Sequence, residues 1–299
     1  MPNKPLEKVL NRDLSRVAAK ELIDRYCPLL DEIVNYGTNL YARLSQSVPD
    51  MATEAGVPLL IYLHVLEMTD GASVLFRESS VSAAIPTVRA IFESALALEY
   101  IFAADTSNRA NAWLLGYLAE QLEWANMMAG TEKTGQQFHT AMQTDSVGAS
   151  IDLAPYQAMA TKVKTLYETE LDRQDLAAAR AERDALQKKN PFPHWYTSFG
   201  GPRNLRQLAK ELGREAQYLV LYKVFSGVAH GQNLRRFITR KKSADPLTRL
   251  IRDAADFEQL ATNAMSHALR STRLLSNKHG ETSQYSTWYT KEIKPGYAP

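Results

Sequence analysis

Residues 221 to 236 read LYKVFSGVAHGQNLRR. On an α-helix, a step of seven residues returns to the same face after two turns, about 20° off and about 10 Å along the axis. Lys223, Ser226, Gly227 and His230 therefore form one stripe of a predicted helix. A histidine can move protons near neutral pH, and a nearby cation can stabilise charge that develops on a phosphate. Gly227 leaves room for close approach to the backbone by another helix or by a ligand. A mid-helix glycine costs about 1 kcal/mol relative to alanine, so it asks for such a reason. The same pattern also describes a capping or packing histidine that shares a face with a solvated cation.

A second stripe lies upstream, on a helix expected from Ser82 to Asp105, where Arg89 and Glu93 are four residues apart and Pro86 and Tyr100 share their side. The other faces carry Val88, Ile91, Phe92, Leu96, Leu98, Ile101 and Phe102. Charged groups in such surroundings are expensive unless they pair with each other or with an incoming group. A structural salt bridge would satisfy them. So would an anion, with Arg89 as its clamp.

Charge is spread unevenly. From Arg235 to Arg252 the chain holds Arg235, Arg236, Arg240, Lys241, Lys242, Arg249 and Arg252 against Asp245 alone, a net +6 in a chain of net +2. Such a block can follow a phosphate backbone, and it can equally be a solvated connection between helices.

Composition sets the frame for these stripes. A chain of 299 residues, 45% apolar and 23% charged, can bury a large core and is too apolar for disorder. The single cysteine, Cys27, forms no intrachain disulfide and suits a reducing cytoplasm. The start, MPNKPLEKVLNRDLSR, has no apolar core of signal-peptide type. Arg89, Glu93 and Glu99 interrupt the longest apolar run, which reads as a buried helix rather than a bilayer span. A cytoplasmic protein with no membrane partner is expected.

Several chemistries find no residues to carry them. None of the six histidines has a glutamate three positions before it, as a di-iron bundle would need. With one cysteine and no pair of histidines three to five apart, no zinc site is expected, and no phosphate-binding P-loop occurs. Neither metal nor cofactor is expected. The stretch SFGGPRNLRQL could set backbone amides, Arg203 and Arg206 around an anion, but it reads more simply as a turn and a helix start.

Helical spacing runs through nearly every segment, and no strand pair or hairpin signal stands out. The expected fold is an all-α bundle of about eight or nine helices. Residues 1 to 50 form an N-terminal helical pair, 51 to 280 the main bundle, and 281 to 299 a docked or disordered tail. Gly130 is placed to cap a helix C-terminus. Residues 153 to 190 read as one long, charged, protruding helix, whose narrow apolar stripe suits a single partner helix in this chain or in a second copy. The last long helix is expected from about Pro246 to Asn277.

Taken together, AAIPTVRAIFESALALEYIFAAD, HWYTSFGGPRNLRQLAKELG and YLVLYKVFSGVAHG resemble the bacterial domain-of-unknown-function family numbered 5677. Members pair an early Arg-x-x-x-Glu helix with a late Tyr-Arg-x-x-Ser-x-x-x-His segment preceded by a tryptophan. The matching positions are Arg89, Glu93, Trp195, Arg203 to Leu208, Tyr222, Lys223, Ser226 and His230. Lys223 stands where an arginine is usual, which keeps the charge but loses the bidentate fork.

The late segment is also similar to the signature of HEPN ribonucleases and toxins, with six residues between Lys223 and His230. A polar residue commonly follows the arginine in those nucleases, whereas Val224 stands here. That similarity implies a helical, often dimeric, metal-independent endoribonuclease of toxin or anti-phage systems. His230 would be the general acid or base, Lys223 and Arg89 the phosphate stabilisers, and Ser226 and Glu93 their orienting groups. Tyr222, Arg203, Arg235 and Arg236 would contact RNA, with a homodimer and a defence-system or antitoxin partner expected. The alternatives are a non-catalytic interaction protein and a module that binds a small anion.

Overall fold

The computed structural model describes residues 11 to 224, 238 to 240, 246 to 248, 252 and 254 to 297. Ser226, His230, Arg235 and Arg236 lie outside the described residues. The fold is all-α, as the helical spacing implies, with twelve α-helices among the described residues rather than eight or nine. The extra helices are short pieces and one split element.

The chain divides into two compact units. The first comprises residues 1 to 51, 58 to 102 and 209 to 299, so the N-terminal helices pack in the same unit as the helix of Arg89 and the last long helix. Its elements are α1 (Arg12–Ala18), α2 (Lys20–Ser45), α3 (Val57–Arg77), α4 (Val81–Ala103), α10 (Glu215–Tyr218), α11 (Phe257–Lys278) and α12 (Thr282–Trp288). Leu30, Ile33 and Leu40 of α2 are buried with Leu59, Tyr62 and Phe76 of α3. Ile85, Phe92 and Leu96 of α4 and Phe257, Leu260 and Met265 of α11 complete this core. Two polar pairs lie inside it: the Tyr62 hydroxyl is 2.9 Å from Thr272 Oγ1, and Ser73 donates to Asp31 Oδ1 at 2.6 Å. Both α3 and α4 are long and apolar enough to cross a membrane, a property shared by core helices. Pro86 sits in the second turn of α4.

The tail is docked. Trp288 stacks on Tyr36 with centroids 4.0 Å apart and donates to Glu32 Oε1 at 2.7 Å, and Ile293 is fully buried. The last long helix starts at Phe257 rather than near Pro246, because Pro246–Thr248 is extended. It pairs antiparallel with Ile238–Arg240, a short ladder that the sequence reading did not anticipate. Both strands are three residues long, too short for alternating hydrophobicity to be recognisable.

The second unit comprises residues 52 to 57 and 103 to 208. Here α5 (Thr106–Ala129) is the hub, packed by α6 (Lys133–Thr144), α7 (Ala154–Leu171), α8 (Ala177–Gln187) and a 3₁₀ turn at Trp195–Gly200. Gly130 closes α5 in the left-handed conformation, as expected for a C-cap. The charged stretch is two helices instead of one, and α7 lies along α5 rather than protruding. The break falls at Arg173, whose backbone leaves the helical region. Its guanidinium bonds Glu170 at 2.9 Å, Asp175 at 2.7 Å and the Ala52 carbonyl at 2.6 Å. The bend also turns Leu176 into the core.

Gly37 supplies a test of packing in the first unit. A Cβ there would collide with buried Leu66 and lie 2.6 Å from the Tyr62 hydroxyl, which Thr272 holds in place. Alanine gains about 1 kcal/mol of helix propensity, against an overpacking cost of about 1 to 3 kcal/mol. Gly37→Ala is expected to lower stability by about 1 kcal/mol in urea unfolding; a rise would show that the α2–α3 contact is loose.

Candidate functional site

Arg89 is half-buried on α4, where Val88, Ile91 and Phe92 point into the core. Its guanidinium carbon lies 4.2 Å from the centroid of the Tyr222 ring. Its Nε is buried and has no hydrogen-bond partner among the described residues. Arg89 thus meets an aromatic face, and among the described residues no ion pair joins it to Glu93. Glu93, one turn on, keeps an exposed outer edge, yet desolvation of its carboxyl raises its pKa while Arg89 opposes the rise. A guanidinium over a ring retains in-plane N–H groups that can still donate to an anion.

Tyr222 is placed by an irregular turn. After α10 the chain passes into a π-helical stretch, Leu219–Val224, and Tyr218 stacks on Tyr222 with centroids 4.7 Å apart. Simple α-helical reckoning therefore fails over these residues, and π turns frequently occur at functional sites. The backbone of Lys223 belongs to this turn, while its side chain lies outside the described residues. Arg89, Glu93 and Tyr222 are thus brought together in one unit.

Arg203 belongs to the second unit, where it is exposed just before α9 (Leu205–Glu211). Its backbone N–H donates to Gln207 Oε1 at 2.9 Å, and the Gln207 N–H donates to Asn204 Oδ1 at 3.0 Å. That reciprocal pair is a helix-start arrangement of the capping-box kind. Trp195, also in the second unit, lines a cavity of about 500 Å³ with Trp113, Tyr117, Phe192 and Arg183.

The sequence reading missed a cluster around Glu99. This residue of α4 is buried, and its carboxylate touches Arg270 Nε of α11 and lies 3.6 Å from Arg214 Nε. Burial pushes its carboxyl up, with Arg214 and Arg273 pulling it back. His267, Arg270 and Arg273 follow one another at three-residue spacing along α11. They open, with Arg214 and Gln217, onto a cavity of about 300 Å³. Two signals were present: the acid Glu99 within the apolar run of α4, and the His-x-x-Arg-x-x-Arg face. Among the described residues, no group of three or more His, Cys, Asp or Glu side chains could hold a metal ion.

These contacts sit on an all-α helical protein. The chain belongs to the family of unknown function DUF5677, whose model matches residues 54 to 245. The match takes in Arg89, Glu93, Tyr222, Lys223, Ser226 and His230. Neither a curated protein nor a solved structure gives a match.

Two measurements test this geometry. A double-mutant cycle of Arg89→Ala and Tyr222→Ala should give a coupling energy of about 1 kcal/mol in urea unfolding; strict additivity would mean that the contact contributes nothing. His267 is 2% exposed. Burial, with Arg214 nearby, lowers its pKa from 6.5 to about 4. Between these values the unfolded chain binds the proton and the folded chain does not, so stability falls as pH drops from 6.5 towards 4. The loss is on the order of 3 kcal/mol. His267→Gln should flatten that acid limb, and an unchanged limb would place the titration elsewhere.

Proposed function

We propose that this protein is a HEPN-like effector that binds and cuts RNA, acting as a cytoplasmic homodimer in toxin or anti-phage defence with a cognate defence-system or antitoxin partner. The observation that supports this reading is the contact of the Arg89 guanidinium with Tyr222 at 4.2 Å. It ties the early Arg-x-x-x-Glu helix to the first residue of the segment that carries Lys223, Ser226 and His230. The basic block that follows, from Arg235 to Arg252, supplies charge suited to a phosphate backbone.

In this mechanism His230 takes the proton of a ribose 2′-hydroxyl as its oxygen attacks the adjacent phosphorus. The O2′–P bond forms and the P–O5′ bond breaks, which leaves a 2′,3′-cyclic phosphate. The departing 5′-oxygen takes its proton from water. Lys223 and Arg89 stabilise the added negative charge on the phosphoryl oxygens. Ser226 and Glu93 orient them, and Tyr222 holds the Arg89 plane while Arg235 and Arg236 hold the strand. The three arginines around Glu99 favour a second reading, capture of a small anion, at a different place on the same unit.

The test uses purified full-length protein and single-stranded RNA in the presence of chelator. Cutting is expected, with His230→Ala lowering it about 100-fold or more. Lys223→Arg should keep or raise activity because it supplies a fork, and Lys223→Ala should lose it. Intact RNA with the wild type, together with a lower melting temperature for His230→Ala, would make His230 a structural residue.

A further inference from the structure

A cavity in the first unit, apart from the Arg89–Tyr222 contact, is lined by Arg214 and Gln217, by residues of α11 and by Tyr285, Tyr289 and Tyr297. Three guanidiniums converge on it, from Arg214, Arg270 and Arg273, against the single carboxylate of Glu99. Glu99 engages Arg270 and approaches Arg214, whereas Arg273 has no acid within 4.0 Å among the described residues. Among the described residues the three guanidiniums outnumber that one carboxylate by two, an excess that a dianion would match.

Polar atoms in the wall also lack partners. His267 is 2% exposed and lines the cavity, and its Nε2 has no hydrogen-bond partner among the described residues. The same holds for Gln217 Oε1, while Arg214 Nε faces Glu99 Oε2 at 3.6 Å. A buried polar atom without a partner costs about 1 to 3 kcal/mol, a cost that a bound ligand or water removes. Tyr285 and Tyr289 close another side, their rings nearly parallel at 19° with centroids 6.0 Å apart.

We propose that this cavity binds a small phosphomonoester, its phosphate held by Arg214, Arg270 and Arg273 and its organic part lying against Tyr289. A tetrahedral dianion offers three oxygens to three guanidiniums, whereas a carboxylate offers two. A cavity of about 300 Å³ has room for an organic group beside the phosphate. The proposal stands independently of RNA cleavage.

The experiment is calorimetric titration of the full chain with adenosine 5′-monophosphate, adenosine and inorganic phosphate. The nucleotide is expected to bind at least about tenfold more tightly than either of the others. Arg273→Ala, which leaves the Glu99 ion pairs intact, should weaken it about tenfold or more, and Arg89→Ala should not. His230→Ala should abolish RNA cutting yet retain nucleotide binding, so the two sites fail separately. Equal affinity for adenosine and its monophosphate, inorganic phosphate binding as well as the nucleotide, no heat with any of the three, or an unaffected Arg273→Ala would each overturn the proposal. Vesicles of phosphatidylcholine with phosphatidic acid form the last arm. Co-sedimentation that depends on Arg273, with no nucleotide response, would assign the phosphate to a lipid headgroup instead and overturn the soluble ligand.

Discussion

The first unit is organised by a buried carboxylate. Glu99 sits near the end of a mostly apolar helix, and its position is tenable only because Arg270 and Arg214 reach it from α11 and from the start of α10. Removing one partner of a buried pair typically costs about 3 to 5 kcal/mol, because the remaining charge is stranded. Three parts of the chain far apart in sequence are thereby held in one register: α4, the residues just before the π turn, and the last long helix. The Arg89–Tyr222 contact depends on the same register, since Arg89 is on α4 and Tyr222 follows α10.

That dependence makes α4 the element to which both the Arg89–Tyr222 contact and the Glu99 cluster are attached. Its apolar faces anchor it in the core through Ile85, Val88, Phe92 and Leu96. Its three charged side chains meet three different surroundings. Glu99 meets arginines, Arg89 meets an aromatic face, and Glu93 keeps an exposed edge with a raised pKa. A helix built this way cannot slip by one turn without stranding a charge, which gives the arrangement its specificity.

Much of this was legible in the residues. The spacing of apolar positions implied an all-α chain, and the Arg89–Glu93 stripe flanked by core residues marked α4 as unusual. Tyr222 was recognisable because it opens the late segment. What was not legible has physical causes. Periodicity registers which residues face inward but not where a side chain breaks a helix, so the Arg173 hub and the split of residues 153 to 190 were invisible. The π turn at Leu219–Val224 leaves no distinctive composition. The Glu99 cluster joins residues more than a hundred positions apart, and only its halves could be seen singly. A three-residue ladder is too short to alternate visibly.

The claim that matters most is that the early helix and the late segment face one cleft. The direct measurement is the distance between the Arg89 guanidinium and the His230 imidazole in a crystal structure of the full chain with a non-cleavable RNA analogue. Side chains of two long residues on facing helices packed about 10 Å apart can meet within about 15 Å. The account expects a separation inside that limit, with both groups directed at the same phosphate. A separation clearly beyond about 15 Å would contradict it, leaving Arg89 as a packing cation on Tyr222 and His230 without a part in the same site.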